Sequence, residues 1–451
     1  MSGETTVLDI VIHSGTVMPM TDRGESFEGI VGIRDGRIVL VEPGCEDPIP
    51  SRETIDASGC IVLPGFVQAH VHVVQSLLRH QADDMALLDW LRLRTWPYEA
   101  SLDGDGVQAA AELGIAELLT GGTTTVLDFG TTHDHDRVFE AAEALGIRMI
   151  SGKTHMDMGE GVSPGLLEDT ERSLADAEAL GKRWHGAAGG RLRYAVAPRF
   201  ALSCTRRLLE GCAELARRHG WLLQSHASEN RDEVAAVREA TGMGNIDYLD
   251  AVGLTGEEVV LAHGIHLSPE ETGRLAATGT RICHCPGANL KLASGIADVP
   301  ALMAAGVPVA LGADGAPCNN RLSIFQEMAL AATLHTLRHG PEAMDAWTVL
   351  DLATRAGARA LHLDGVTGTL EPGLRADIVV IDGSGWSLLP AGDPAARVVY
   401  GATAADVRDV VVDGRVVVRE RRLRTKAPET IRDHAVEAWR AVRARMEEVI
   451  P

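Results

Sequence analysis

The 451-residue sequence predicts an α/β fold: a (β/α)8 TIM barrel with a flanking β-sandwich formed by the N- and C-terminal segments. Three observations predict it. From residue 61 to about 365, apolar strand-like runs alternate with segments of helical periodicity. Several of those runs close on a histidine, an arginine or an aspartate. Both ends of the chain instead carry short strands joined by tight turns.

The elements follow in order. Leu8-Asp9-Ile10-Val11-Ile12, Gly29-Ile30-Val31-Gly32-Ile33 and Arg37-Ile38-Val39-Leu40-Val41 read as strands, with Arg34-Asp35-Gly36 as a turn. Eight strand candidates come next: 61–70, 123–129, 147–153, 192–198, 221–226, 258–263, 280–284 and 307–313. Helical segments lie between them, among them 136–145 and 205–219. Eight strand–helix units close most simply as a barrel. An open doubly wound sheet would need a Gly-rich phosphate turn, and none is present. Ala376-Asp377-Ile378-Val379-Val380-Ile381, 407–412 and 416–418 return to the short-strand style, with Asp413-Gly414 as a hairpin turn. The expected organisation is a sandwich from 1–60 plus 366–425, a barrel over 61–365, and a helix over 426–451. That helix is expected to serve packing or subunit contact, and a homo-oligomer is expected.

Composition narrows the classes. Hydrophobic content is 45%, charged content 23% and formal net charge −21. A net negative chain without clustered Lys and Arg is not built for a phosphate backbone, so no nucleic-acid partner is expected. No apolar run approaches the ~20 residues of a membrane span, and Met1 to Val7 show no secretory leader. The cysteines at 45, 60, 204, 212, 283, 285 and 318 are odd in number and form no framework. A cytoplasmic location is expected. Cys283-His284-Cys285 resembles a metal motif, but no second cysteine pair accompanies it, and Pro286-Gly287 turns the chain at once.

The candidate site rests on the strand ends. His70 and His72 project on one strand face, about 7 Å apart along the chain. His226 closes Trp221-Leu222-Leu223-Gln224-Ser225, His263 closes Val259-Val260-Leu261-Ala262, and Asp314 follows the last strand. In a barrel all of these lie on the C-terminal face, where active sites form. His70, His72, His226 and Asp314 can ligate a metal ion with a position left for water. Such an ion brings a water pKa near neutrality. Glu229, three residues after His226, puts a carboxyl beside it as an acid or base. His133, His135, His155, His219 and His284 are read as ordinary core or surface residues.

These residues resemble the amidohydrolase superfamily, in its deaminase and chlorohydrolase branch. The motifs are Pro64-Gly65-Phe66-Val67-Gln68-Ala69-His70-Val71-His72, His226-Ala227-Ser228-Glu229-Asn230, Leu261-Ala262-His263, the segment from His284 to Gly295, and Leu311-Gly312-Ala313-Asp314-Gly315. The resemblance spans the chain and implies the same barrel and flanking sandwich. It implies His70, His72, His226 and Asp314 as ligands of one divalent ion, zinc first and iron second. It implies that Asp314 takes the proton from the water and passes it to departing ammonia. Glu229 would protonate a ring nitrogen, and His263 would polarise the attacking hydroxide or stabilise the tetrahedral intermediate. Two-metal relatives carry a bridging lysine at the end of the fourth strand. Here that strand ends Ala197-Pro198-Arg199-Phe200, and Lys153 belongs to the third.

The substrate expectation is a small molecule, with two competing signals. Trp90 and Glu99 resemble adenosine-type deaminases acting on S-adenosylhomocysteine, methylthioadenosine or 5′-deoxyadenosine, in which the matching Glu binds ribose hydroxyls. Gln75, Arg199 and Phe200 resemble guanine deaminases, in which the arginine meets the purine oxygen and the phenylalanine stacks. The order of expectation is an adenine-nucleoside deaminase, then a guanine-type, 8-oxopurine or pterin deaminase, then an s-triazine hydrolase.

Overall fold

The computed structural model describes residues 7–44 and 49–449, so Cys45 and most of the N-terminal stretch examined for a leader lie outside it. Eight parallel strands form the barrel wall: β1 (Phe66–His72), β2 (Thr123–Phe129), β3 (Arg148–Gly152), β4 (Leu192–Pro198), β5 (Leu222–Ala227), β6 (Val259–His263), β7 (Arg281–His284) and β8 (Val309–Leu311). Each pairs with its sequence neighbour. Every residue of β1, β2, β3 and β6 is buried, as expected of strands covered on both faces.

The ring closes through Asp314–Gly315. This short extension of β8 pairs with β1 in the register Asp314 to Val71 and Gly315 to His72. Closure brings Gly312 against the backbone of β1, where a Cβ would stand 2.5 Å from the His70 carbonyl oxygen. The outer helices begin on side-chain caps. Asp103, Asp169 and Thr205 accept a backbone N–H in the first turns of Gly104–Thr120, Thr170–Trp184 and Arg206–His219.

The two chain ends meet in one mixed sheet of nine strands. The join lies between Cys60–Pro64 and Ile378–Asp382, which pair antiparallel. The run expected as one strand over 61–70 is therefore two strands in two sheets. Pro64 has no N–H for a ladder, and the chain passes from the terminal sheet into the barrel at Pro64-Gly65. The terminal module accordingly reaches past residue 60. A buried ion pair ties it to the barrel: Arg148 Nε donates to Asp377 Oδ2 at 2.7 Å, and Asp377 also accepts the Asp413 N–H at 2.7 Å.

The last helix, Pro428–Val449, lays Ala435, Ala438, Val442 and Met446 into the cluster that holds Ala109 and Ala110 of Gly104–Thr120. Among the described residues, no helix is long and apolar enough to cross a membrane.

Candidate active site

Four donors converge at the C-terminal mouth of the barrel. His70 and His72 come from β1, His226 from β5, and Asp314 from the closing segment. One ligand atom from each lies within 4.8 Å of all the others. The Nε2 atoms of His70 and His72 each stand 3.4 Å from Asp314 Oδ1, and His72 Nε2 stands 3.2 Å from His226 Nε2. Two backbone features aim this cluster inward. Asp314 has φ 63° and His263 has φ 76°, conformations that non-glycine residues adopt at a cost of order 1–3 kcal/mol each.

Electrostatics make the cluster a ligand set. Burial pushes the imidazoles of His70, His72 and His226 below the ordinary histidine range, so they are neutral and carry lone pairs. His226 Nδ1 lies 2.7 Å from the Arg199 carbonyl oxygen and donates to it, which leaves Nε2 as the free donor. Burial pushes Asp314 up. The imidazoles of His70, His72 and His263, close around it, outweigh burial and hold the carboxyl well below its usual range. His70 Nε2 is buried with no hydrogen-bond partner in the chain. Three neutral imidazoles and a carboxylate, with ligand atoms within 4.8 Å of one another, are a donor set that fits a divalent ion.

Glu229 stands beside the cluster. Its Oε2 is 3.5 Å from His263 Nε2, and its Oε1 accepts from Ser294 Oγ at 3.3 Å. Burial, then the charges of Asp314 and Glu233, raise its carboxyl well above the ordinary range and favour the protonated form. His263 Nε2 also lies 3.9 Å from Asp314 Oδ2, while its Nδ1 meets Asn289 Oδ1 at 2.8 Å.

The cavity over these groups has about 430 Å³ of empty space, part of it open to solvent. Leu87, Trp90, Leu91, Phe200 and Leu292 form its apolar walls, and Gln75, Arg199, Glu229, Glu233 and His263 its polar ones. The segment from Val73 to Ala100 supplies much of the roof. Glu99 is not part of this lining. Its Oε1 accepts from Gln75 Nε2 at 2.9 Å, and its Oε2 accepts from the Arg199 guanidinium. The residues expected to serve competing substrates thus form one buried network, and the carboxylate expected to meet a ribose already has a partner on each oxygen.

The remaining expectations fall into place. Lys153 is bound to Glu168 and to Ser173 Oγ at 2.9 Å, away from the cluster. Cys283 and Cys285 are packed in an apolar cluster. Among the described residues, no other group of three or more His, Cys, Asp or Glu has metal-binding spacing, and the other five named histidines are outside this one. Sequence reasoning missed Glu233, Asn289, Ser294 and the wall residues Leu87, Leu91 and Leu292. Asn289, Leu292 and Ser294 lie in the motif segment from His284 to Gly295 without having been singled out, and Asn230 followed three residues later by Glu233 is a capping-box pattern.

Comparison with known proteins identifies the family. The Amidohydrolase family pattern matches residues 61–417. The chain belongs to the amidohydrolase family. It is 39% identical over 416 residues to the 5-methylthioadenosine/S-adenosylhomocysteine deaminase of Symbiobacterium thermophilum, covering 91% of this chain and 94% of that protein. It is 37% identical over 404 residues to the 5′-deoxyadenosine deaminase of Methanothermobacter thermautotrophicus, covering 88% and 91%. The crystal structure of an adenosine deaminase from Xanthomonas campestris with bound zinc superposes with a TM-score of 0.91 at 29% identity, covering 97% of this chain and 99% of that one. As an amidohydrolase, this chain is a metal-binding hydrolase acting on C–N bonds.

Proposed function

We propose that the protein is a hydrolytic deaminase of adenine nucleosides, of the adenosine, 5′-deoxyadenosine, methylthioadenosine or S-adenosylhomocysteine type, that releases ammonia and the inosine analogue. The observation that carries this reading is a buried Glu229, 3.5 Å from His263 Nε2, beside the His70, His72, His226 and Asp314 cluster in a cavity bordered by Trp90 and Phe200, its carboxyl raised above the ordinary range by burial. The names of the relatives support the adenine nucleoside. His70, His72, His226 and Asp314 would hold one divalent ion, zinc first and iron second, which when bound would lower the pKa of a water.

The chain's own residues do the rest. Trp90 and Phe200 border the space for a heterocycle. Asp314 accepts a proton from the attacking water, and His263, held by Asn289, faces the oxygen being added. Glu229 gives its proton to a ring nitrogen, which lets the ring carbon accept the water oxygen. Asp314 returns its proton to the amino group as the C–N bond breaks, and ammonia leaves. One water proton thus travels through Asp314 to the leaving amine, the Glu229 proton stays on the ring nitrogen, and the second water proton leaves the added exocyclic oxygen as it becomes a carbonyl and restores Glu229. Buried free cysteines support a reducing, cytoplasmic setting.

The Glu99 network favours a second reading. Glu99 is buried, partnered on each oxygen and absent from the cavity lining, whereas Arg199 lines the cavity as a cationic donor. Such a donor suits a free oxopurine or pterin. An ammonia-release screen over the four adenine nucleosides, guanine, 8-oxoguanine, pterins and melamine decides the matter. Turnover led by an adenine nucleoside supports the first reading, and turnover led by guanine overturns it.

A further inference from the structure

Glu233 has no place in the chemistry described above, yet it is a fully buried carboxylate that lines the catalytic cavity. Its Oε2 accepts the backbone N–H of Glu229 at 2.7 Å and that of Asn230 at 3.3 Å. Its Oε1 accepts from Asn245 Nδ2 at 3.0 Å. All three partners donate, the hydrogen-bond pattern of an ionised carboxylate; burial raises the group above its ordinary range, and these three bonds oppose the rise. On its other side the same loop is held by the segment that follows β6: the Ser228 carbonyl accepts the N–H groups of Ile265 and His266, each at 3.0 Å. Glu229 therefore sits in a loop fixed from two sides, and Glu233 is the only side chain bonded to its backbone N–H.

We infer that Glu233 is a positioning residue for Glu229, fixing the backbone from which the proton donor projects and placing a negative charge near its carboxyl. This rests on the reading of Glu229 as the proton donor. The charged and titratable groups facing Glu229 are His263 at the end of β6, Asp314 beyond β8, Arg199 beyond β4 and Glu233 on its own helix, and Ser294 adds a hydroxyl. Glu233 and Asp314 are the two negative charges among them. Glu233 lies outside the ligand set, so its charge can be removed while the four ligands stay intact.

The network itself separates geometry from charge. Asn245 Oδ1 is buried without a partner. A flip of the Asn245 amide lets this oxygen accept from the new amide in Glu233→Gln, whose oxygen still receives the Glu229 N–H. Glu233→Gln thus removes the charge and keeps the anchor. Glu233→Ala removes both.

The test uses metal-loaded full-length enzyme and ammonia release from 5′-deoxyadenosine, or from guanine if that is the better substrate, across pH. Amide hydrogen exchange over residues 226–235 is followed in parallel. In Glu233→Gln the alkaline limb of kcat/KM moves to lower pH by about one unit, because a neighbouring like charge no longer holds the proton on Glu229, and the exchange pattern stays as in wild type. In Glu233→Ala the Glu229 and Asn230 amides exchange faster, and kcat falls ~100-fold with KM little changed, the scale of a misplaced catalytic group. An unmoved alkaline limb in Glu233→Gln overturns the inference, as does a Glu233→Ala enzyme with kcat within threefold of wild type. Where Glu233→Ala does not fold, Glu233→Gln carries the test alone. The Glu229→Gln enzyme separates the two failures: wild-type turnover there removes the reading of Glu229, whereas lost turnover there with an unmoved limb in Glu233→Gln removes only the role of Glu233.

Discussion

Burial, then the charges of Asp314 and Glu233, raise the Glu229 carboxyl well above its ordinary range. Glu229→Gln preserves shape and reach but cannot give a proton to a ring nitrogen. It should keep its metal and lose turnover by ~10²-fold or more, measured as kcat beside metal analysis. Near wild-type kcat would assign the acid to another group. Glu99 and Arg199 are bonded to each other, so their effects are coupled. If the substrate is a nucleoside and Glu99 gives up its partners to the ribose, Glu99→Ala should weaken ribosides by roughly 3 kcal/mol, about a hundredfold in kcat/KM, and spare free bases. If the substrate is an oxopurine, Arg199→Ala should be the damaging change. Glu99→Ala should then also reduce activity on the free base, because the guanidinium loses its anchor. Kinetics of both variants on a nucleoside and on guanine distinguish the outcomes.

At the scale of elements, the closing segment carries the most consequence. Gly312 lies where β8 passes the backbone of β1, and a Cβ there would stand 2.5 Å from the His70 oxygen, 2.8 Å from the His70 nitrogen and 2.9 Å from Cys283 Sγ. None of these can give way cheaply. Gly312→Ala should lower stability by about 1–3 kcal/mol and weaken metal binding, since it pushes on one ligand's backbone two residues before another ligand. Thermal melts and a metal titration check this, and a variant matching wild type in both would show that the seam is slack. The same segment marks how far the sequence could be read. The strand ends holding His70, His72, His226, His263 and Asp314 were legible because each closes an apolar run, and β4 was placed at its observed bounds. The passage at Pro64-Gly65 was not legible, because two consecutive strands with the same apolar composition give one continuous signal. The bond between Glu99 and Arg199 was not legible either. The partners are 100 residues apart, and only barrel closure brings them together.

Across the whole molecule, the ligand set draws on three distant parts of the chain, β1, β5 and the segment after β8. An ion bound there ties the first barrel strand to the last and to one across the ring. Folding creates the site, so the ion stabilises the folded state by mass action. At free metal a thousandfold above its Kd this amounts to about 4 kcal/mol. The chain should hold one divalent ion, because Lys153, the lysine nearest to a bridging role in sequence, is engaged by Glu168 and Ser173. Chelation should lower the melting temperature, and added zinc should restore it with a concentration dependence that follows binding. His70→Ala, His72→Ala and His226→Ala should each lose metal and activity together, and their melting temperatures should no longer respond to chelator. Metal analysis with paired thermal melts reads all of this. Two ions per chain would overturn the mononuclear centre. A melting temperature indifferent to metal in the wild-type protein would show that barrel closure stands without the ion, and that the neutral histidines serve chemistry alone.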